Sequence, residues 1–360
     1  MTAPRRSRVT ASIEAVATLA QVSKATVSRV ANGRVGKVSD DTRKRVQAAI
    51  RKLNYVPSRA GSALRTGRSD IVALVMPDRF DTYNQAIAGS LERALRAHGK
   101  IMVLCTTDES PARQDEILRQ MHLQLACGIV LLGAVDSPGL RRAVSGGVPV
   151  ILVNRHFAGK IAAPFIGADY KAAAADLADH FLARHFGPVT IMHGPLSSSA
   201  TRDRVTGFIE RFRPKADEAA TVTCHALRNF SKEEGYRLGQ ALFAAPGRPR
   251  SIFCTSDEIA FGVARAAREA GLQLARDVTV FGFDGSPIST FLAPWLGTVR
   301  VAHEAYGPAI TGLLEAFWQG KPPPRRTELL IPYEIVPAEK PPPRARSPGG
   351  IHGGSSSRKA

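Results

Sequence analysis

The sequence predicts an α/β protein: a small all-α segment in front, then a larger part built on parallel sheets. Three observations carry this. Apolar residues over the first fifty-odd positions recur at helical spacing. From Ile71 onward, short apolar runs alternate with amphipathic stretches, the signature of buried strands connected by helices. The charge is also uneven: of a net +18 over 360 residues, the stretch Met1 to Arg68 holds fifteen Lys or Arg against three acids (Glu14, Asp40, Asp41).

In chain order, the first helix is expected from Ile13 to Ala20, with Ile13, Val16, Ala17 and Ala20 on one face. Gln21-Val22 form a tight connection. Ser23 is a good N-cap for a second helix from about Lys24 to Ala31, because its hydroxyl can accept from a free amide of the first turn. Asn32-Gly33 ends that helix, glycine suiting a left-handed C-terminal turn. A third helix follows Ser39 and reaches about Leu53, with Val46, Ala49, Ile50 and Leu53 facing one way; Pro57 stops it, and a short helix can restart at Ser58 and run to Leu64.

Strands are expected at Ile71–Met76, Ile101–Cys105, Ile129–Leu132, Val148–Val153, Val189–Met192, Ile252–Cys254 and Val278–Phe281. Helices fall between them at Ala86–Ala97, Ala172–Arg184 and Ile259–Ala270, and two sheets fit the length. Ligands of such folds sit at the carboxyl ends of strands. Those ends carry Asp78, Asn154, His193, Ser256 and Asp284.

Composition narrows the function. No apolar run is long enough to span a bilayer, and the basic start, Met1 to Val9, has no apolar stretch of the secretory kind, so the protein is read as cytoplasmic. Cys105, Cys127, Cys224 and Cys254 are widely spaced in apolar stretches and read as buried, reduced thiols. No P-loop, HExxH or nucleophile elbow is present, and His180, His185 and His193 show no metal-ligand clustering. No enzyme activity, metal or cofactor is therefore expected. From Pro337 the chain is rich in Pro, Gly, Ser and basic residues and is expected to be disordered.

The basic block can neutralise phosphates, and two helices joined by a very short turn can place a helix end in the major groove of double-stranded DNA. Lys24 and Arg29 can donate to guanine, and Ala25 can meet a thymine methyl. Thr26, Ser28 and Asn32 are candidates for phosphate contacts. The strings ATLAQVSKATVSRVANG and VSDDTRKRVQAAIRKLNYVPSRAGSAL resemble the headpiece of the LacI/GalR family of transcription regulators. The resemblance implies base reading by Lys24, Ala25 and Arg29, with Leu64 on a hinge helix wedged between base steps in the minor groove. Three positions depart from the pattern. Gln21 replaces a turn glycine, Ala15 stands where aspartate is common, and Gly61 replaces a hinge alanine, which predicts a hinge less helical when free of DNA.

The likeness continues to about Val336 through GPLSSSATRDRVTGF, NFSKEEGYRLGQALF, CTSDEIAFGVARAAREAG and DVTVFGFDGSP, which are similar to the family's two-lobed, periplasmic-binding-protein-like core. It implies a headpiece at 1–56, a hinge at 57–69, an effector-binding and dimerisation domain at 70–336, and the tail at 337–360. It implies a first lobe from Asp70 to Ala168 plus a return near Val301–Gly320, and a second from Asp169 to Leu296 plus a final strand near Leu330–Ile335. Arg204 and Asp284 are placed in the cleft for a polyhydroxylated ligand, with Phe230 as an aromatic face. Tyr83, Asn84, Asn154, Ser256 and Asp257 are further candidates. Each has an ordinary alternative: Arg204 as a surface salt bridge, Phe230 as plain core, Asp257 as a helix N-cap, Asn154 or Arg155 as a lobe contact.

The expected function is a DNA-binding transcription regulator, of repressor type in this family, whose operator affinity follows a small-molecule effector such as a sugar or sugar derivative. A homodimer is expected, since the tail lacks the leucine heptads of the family's tetramers. A transporter's solute-binding protein and a sugar kinase are the competing readings. The first needs export, and the second needs a phosphate-cradling loop that the sequence lacks.

Overall fold

The computed structural model describes residues 12–33, 38–56, 67–78, 80–157, 161–213 and 221–339. The expected hinge helix, with Gly61 and Leu64, and the tail from 340 onward lie outside them. The chain divides into two compact units between Ser69 and Asp70.

Among its described residues the first unit has three helices, α1 (Ile13–Ala20), α2 (Lys24–Ala31) and α3 (Asp40–Leu53), running where the spacing predicts. Each begins at a serine. The hydroxyls of Ser12, Ser23 and Ser39 accept from the amides of Ala15, Thr26 and Thr42, answering a donor the helix cannot satisfy itself. Val16, Val27 and Val46 are fully buried where the three helices meet. Gln21 closes α1 in the left-handed region at φ 52°, the conformation for which a glycine is the usual choice.

The second unit has two six-stranded sheets. The first holds β1 (Ile71–Met76), β2 (Ile101–Thr106), β3 (Gly128–Leu132), β4 (Val150–Val153), β5 (Phe165–Gly167) and β11 (Glu328–Leu330), in the order β11-β5-β4-β3-β1-β2, all parallel. The second holds β6 (Val189–His193), β7 (Val222–Ala226), β8 (Ser251–Cys254), β9 (Thr279–Phe281), β10 (Leu296–Val301) and β12 (Tyr333–Val336), in the order β12-β10-β9-β8-β6-β7, with only β12 antiparallel. Helices α4 (Thr82–Ala97), α5 (Pro111–Leu123) and α6 (Pro138–Ser145) connect the first sheet, and α12 (Tyr306–Trp318) packs on α4. Helices α7 (Tyr170–Ala183), α8 (Ser199–Phe212), α9 (Lys232–Ala244), α10 (Asp257–Glu269) and α11 (Pro287–Leu292) belong to the second lobe. In each sheet the strand order reverses beside its first strand, β1 or β6. That reversal leaves a crevice at the strands' carboxyl ends, where connections leave in opposite directions.

Several expectations need correction. β5, β7 and β10 were not anticipated: β5 is three residues long, and β7, an edge strand, has no fully buried residue. The return to the first lobe starts after Val301, because Leu296–Val301 is a strand of the second sheet. The expected final strand is two strands, β11 and β12, one in each lobe, with Ile331-Pro332 between them. Pro332 cannot donate to a ladder, which suits this break. The crossings lie side by side: Ile331 N–H donates to Gly167 O, and Ala302 N–H donates to Pro332 O. Cys127 and Cys254 are buried as expected, but Cys105 is only half-buried and Cys224, on edge strand β7, is exposed; all four are free thiols. The described residues also run three positions past the expected domain end, to Glu339, whose N–H donates to Pro294 O.

Candidate functional site

The candidate DNA-reading face is the outer side of α2. Lys24, Ala25 and Arg29 are exposed, while Val27 and Val30 on the opposite side hold the helix to the core of the head. Lys24 Nζ is paired with Glu14 in the first turn of α1, and that pairing holds the Glu14 carboxyl below its usual range. The remaining polar candidates are satisfied locally. Ser23 caps the helix and also meets Thr26 Oγ1 at 3.0 Å, and Asn32 Nδ2 donates to Ser28 O at 2.7 Å. Such bonds set the helix ends, and Arg29 and, once released from Glu14, Lys24 are the long donors on the outer face.

The second site is a cleft of about 350 Å³ between the lobes. Tyr83, Asn84, Asn154, Arg204, Phe230, Ser256 and Asp284 all line it. Asp257 does not. It sits in the first turn of α10 behind Ser256, which is the N-cap, and is 2% exposed. Its carboxylate accepts from Ser286 N–H at 3.0 Å, Thr298 Oγ1 at 2.7 Å and Ser289 Oγ. Burial pushes its pKa up to about 6 while those three bonds hold it down. Gly282 makes room for it, since a Cβ there would stand 2.2 Å from Asp257 Oδ1. Asp257 therefore braces the loop after β9 and does not line the cleft.

Arg204, from α8, is not a surface ion pair. It is 7% exposed, its Nη2 donates to Asp284 Oδ1 at 2.9 Å, and its Nη1 donates to Thr255 O at 2.6 Å. The guanidinium lies 3.9 Å from the Phe283 ring centre and 4.6 Å from that of Tyr170. Its Nε is buried with no partner. Burial pushes Asp284 upward and the guanidinium beside it opposes that shift. Asn154 Oδ1 accepts from both Tyr170 and Tyr306 at 2.7 Å, and Tyr306 in turn accepts from Tyr83 at 3.2 Å. This buried network ties α4, α7 and α12 together at the lobe crossing. Phe230 is half-buried, and its ring lies against Gly194, where any Cβ would meet it at 2.3 Å. Arg155 stands 5.4 Å from the ring centre.

Sequence reasoning named Asp78 at a strand end but missed the other acids of the first lobe. Asp81 caps α4 and lines the cleft, as do Asp108 and Glu109 after β2. Their signal was present as polar residues at strand ends. Backbone strain also marks the cleft. Nine described non-glycine residues have positive φ, and four of them, Asp108, Glu109, Asn154 and Asp284, line it. Such strain concentrates where a binding geometry is held. Four of the other five close helices or follow them.

The comparisons agree with this two-part layout. A family model described as bacterial regulatory proteins, lacI family, matches residues 12–58, and one for a periplasmic binding protein domain matches residues 72–290. The HTH-type transcriptional regulator MalR of Streptomyces coelicolor is 31% identical over 332 residues, covering 89% of this chain and 94% of that protein. The ribose operon repressor of Halalkalibacterium halodurans is 29% identical, covering 86% and 91%. The lac repressor dimer bound to operator and the anti-inducer ONPF superposes with a TM-score of 0.79 at 22% identity, covering 91% of this chain and 98% of that one. A helix-turn-helix head ahead of a two-lobed cleft defines the class, a regulator that reads DNA with one part and a metabolite with the other. The chain belongs to the LacI family of bacterial regulatory proteins. It is an effector-controlled, DNA-binding regulator of transcription and not an enzyme.

Proposed function

We propose that the chain represses transcription as a homodimer in the cytoplasm. Lys24, Ala25 and Arg29 read operator bases, and Leu64 wedges between base steps. Ser23, Thr26, Ser28 and Asn32 fix the pose of the reading helix. A sugar or sugar derivative occupies the cleft against Arg204, Asp284, Phe230, Asn154, Ser256, Asn84 and Tyr83. Closing the lobes on it changes operator affinity, so effector and DNA each alter the other's binding by the same factor.

The observation that carries this reading is the position of the cleft. It lies at the carboxyl ends of both sheets, at the reversal of each strand order, and is lined by four strained residues. Relatives support the ligand class by name: one is a ribose operon repressor, and the regulator CelR, 25% identical with a TM-score of 0.64, was solved with cellobiose. Self-association is supported by apolar groups left in water, with Ile101 and Leu104 exposed on edge strand β2 and Phe291 84% exposed on α11.

A mobility-shift assay on the protein's own upstream DNA tests the head. Arg29→Ala is expected to lower affinity by about 1–3 kcal/mol, roughly ten- to a hundredfold, and to relax sequence preference at one position of each half-site. Unchanged affinity and preference would show that α2 is not the reader.

A further inference from the structure

We propose that the cleft is built for a hydroxylated ligand bearing a protonated amine, of the amino-sugar type. This rests on the reading of the cleft as the effector site and adds the charge of its occupant.

Among the described residues, seven carboxylates and three cations line the cleft. Each cation already has a carboxylate. Arg204 is held by Asp284 at 2.9 Å, Arg155 by Glu109, and Lys232 stands 3.7 Å from Glu258. Among the described residues no guanidinium fork is left for a ligand carboxylate or phosphate, which would also enter a surplus of like charge.

The surplus is concentrated on the first lobe. Asp78 accepts from the backbone amide of Phe80 and Asp81 from that of Asn84, both at 2.9 Å, with the Tyr83 amide also bonding Asp81, and neither has an ion-pair partner among the described residues. Facing them from the second lobe is Glu258, which accepts from Thr82 Oγ1 at 3.3 Å across the cleft. Burial, with Glu258 and Asp78 adding to it, pushes Asp81 up to about 6. Glu258 shares the one ammonium of Lys232 with Glu233, at 3.7 and 3.9 Å, so it still adds to the repulsion between Asp78 and Asp81, and a cation set between Asp81 and Glu258 relieves it. A metal ion is not the natural occupant, because no three His, Cys, Asp or Glu side chains among the described residues converge as a metal-holding group.

A second feature, independent of the acids, points to hydroxyls. Arg204 lines the cleft, and its buried Nε–H has no acceptor. A ligand hydroxyl oxygen supplies one, and the ring of Phe230 offers an apolar face to the C–H groups of a sugar. An organic ligand with hydroxyls at the Arg204 end and an ammonium at the Asp81–Glu258 end satisfies both.

Isothermal titration of the intact protein tests this with glucosamine, galactosamine and mannosamine against their N-acetyl forms, the parent hexoses and the hexuronic acids. One amine is expected to bind at least tenfold more tightly than its own N-acetyl and hydroxyl counterparts, with uronates weakest. Asp81→Asn keeps a capping side chain, and Glu258→Gln keeps an acceptor for Thr82. Each is expected to bring the ratio of amine to N-acetyl affinity towards one, whereas simple loss of structure would lower both affinities alike. Preference for neutral or acidic sugars, a ratio that survives both substitutions, or binding of no member overturns the amine assignment. Amine binding that Phe230→Ala leaves untouched instead overturns the reading of this cleft as the effector site.

Discussion

The reading head and the sensing core hold together by different physics. The head buries small aliphatic side chains, Val16, Val27, Val46, Ala17, Ala20 and Ala49, and relies on serine caps at all three helix starts. Its buried set contains no aromatic ring. The core buries large side chains, with Phe181 edge-on to Phe208 and Phe281 at about 5 Å, and it also encloses charged groups, Arg204, Asp257 and Asp284. Small domains bury a smaller share of their surface and are correspondingly marginal. A head of that kind orders or frays at little cost, while the core can carry the strained backbone of a binding cleft. The division of labour between DNA and ligand thus follows a division in stability.

That contrast can be tested by unfolding the two regions separately. Both tryptophans, Trp295 and Trp318, lie in the core, so urea unfolding followed by tryptophan fluorescence reports that part. The largest effect is expected from Asp257→Ala, which strands the donors of Ser286, Ser289 and Thr298 in the interior. A loss of about 3 kcal/mol is expected, with the head's own helical signal preserved. A drop under about 1 kcal/mol would show that those donors find other partners.

A smaller effect of opposite sign is expected in the head. Gln21 holds a left-handed backbone at φ 52°, so Gln21→Gly should stabilise the head by about 1 kcal/mol, read from thermal unfolding by circular dichroism at 222 nm. Destabilisation would mean that the glutamine side chain contributes more than the backbone strain costs.

The smallest effect concerns the closed lobes. His156, after β4, has Nε2 3.2 Å from Asp203 on α8, and its N–H donates to Ser199 Oγ, so the contact bridges the lobes. The hydrogen bond to Asp203 is the first cause of its raised pKa. A raised value means that the folded protein holds the proton more tightly than the unfolded chain. The contribution is complete below the ordinary value of 6.5 and fades as pH climbs through the raised one. Both side chains are about a third exposed, 38% and 32%, and screening limits the contribution to about 0.5 kcal/mol. The melting temperature of the core should fall by about 1–2 °C between pH 6 and pH 8, and Asp203→Asn should flatten that dependence. An unchanged slope in the variant would assign it to other groups.

The candidate site was legible where a motif fixes local geometry. Arg204 and Asp284 sit on recognisable strings, and both reach the cleft. Asp257 sits on an equally recognisable string, CTSDEIAFG, yet turns inward, because its partners lie 29 to 41 residues further along the chain. Nothing near it in sequence announces them. Asp81 escaped notice for a related reason: as a helix cap it looks ordinary until Glu258, from the other lobe, is brought opposite.

Sequence alone determined the three helices of the head, since helical periodicity and a serine hydroxyl are properties of four or five neighbouring residues. It also determined the alternation of strands and helices that makes the two sheets. Tertiary structure decided how the chain is shared between the lobes. The stretch near Leu330–Ile335 read as one strand, but the chain there pairs with β5 on one side of Pro332 and with β10 on the other. It decided the electrostatics of the cleft as well. Whether a carboxylate is balanced depends on charges placed beside it by distant segments, and Coulomb interactions follow distance in space rather than along the chain.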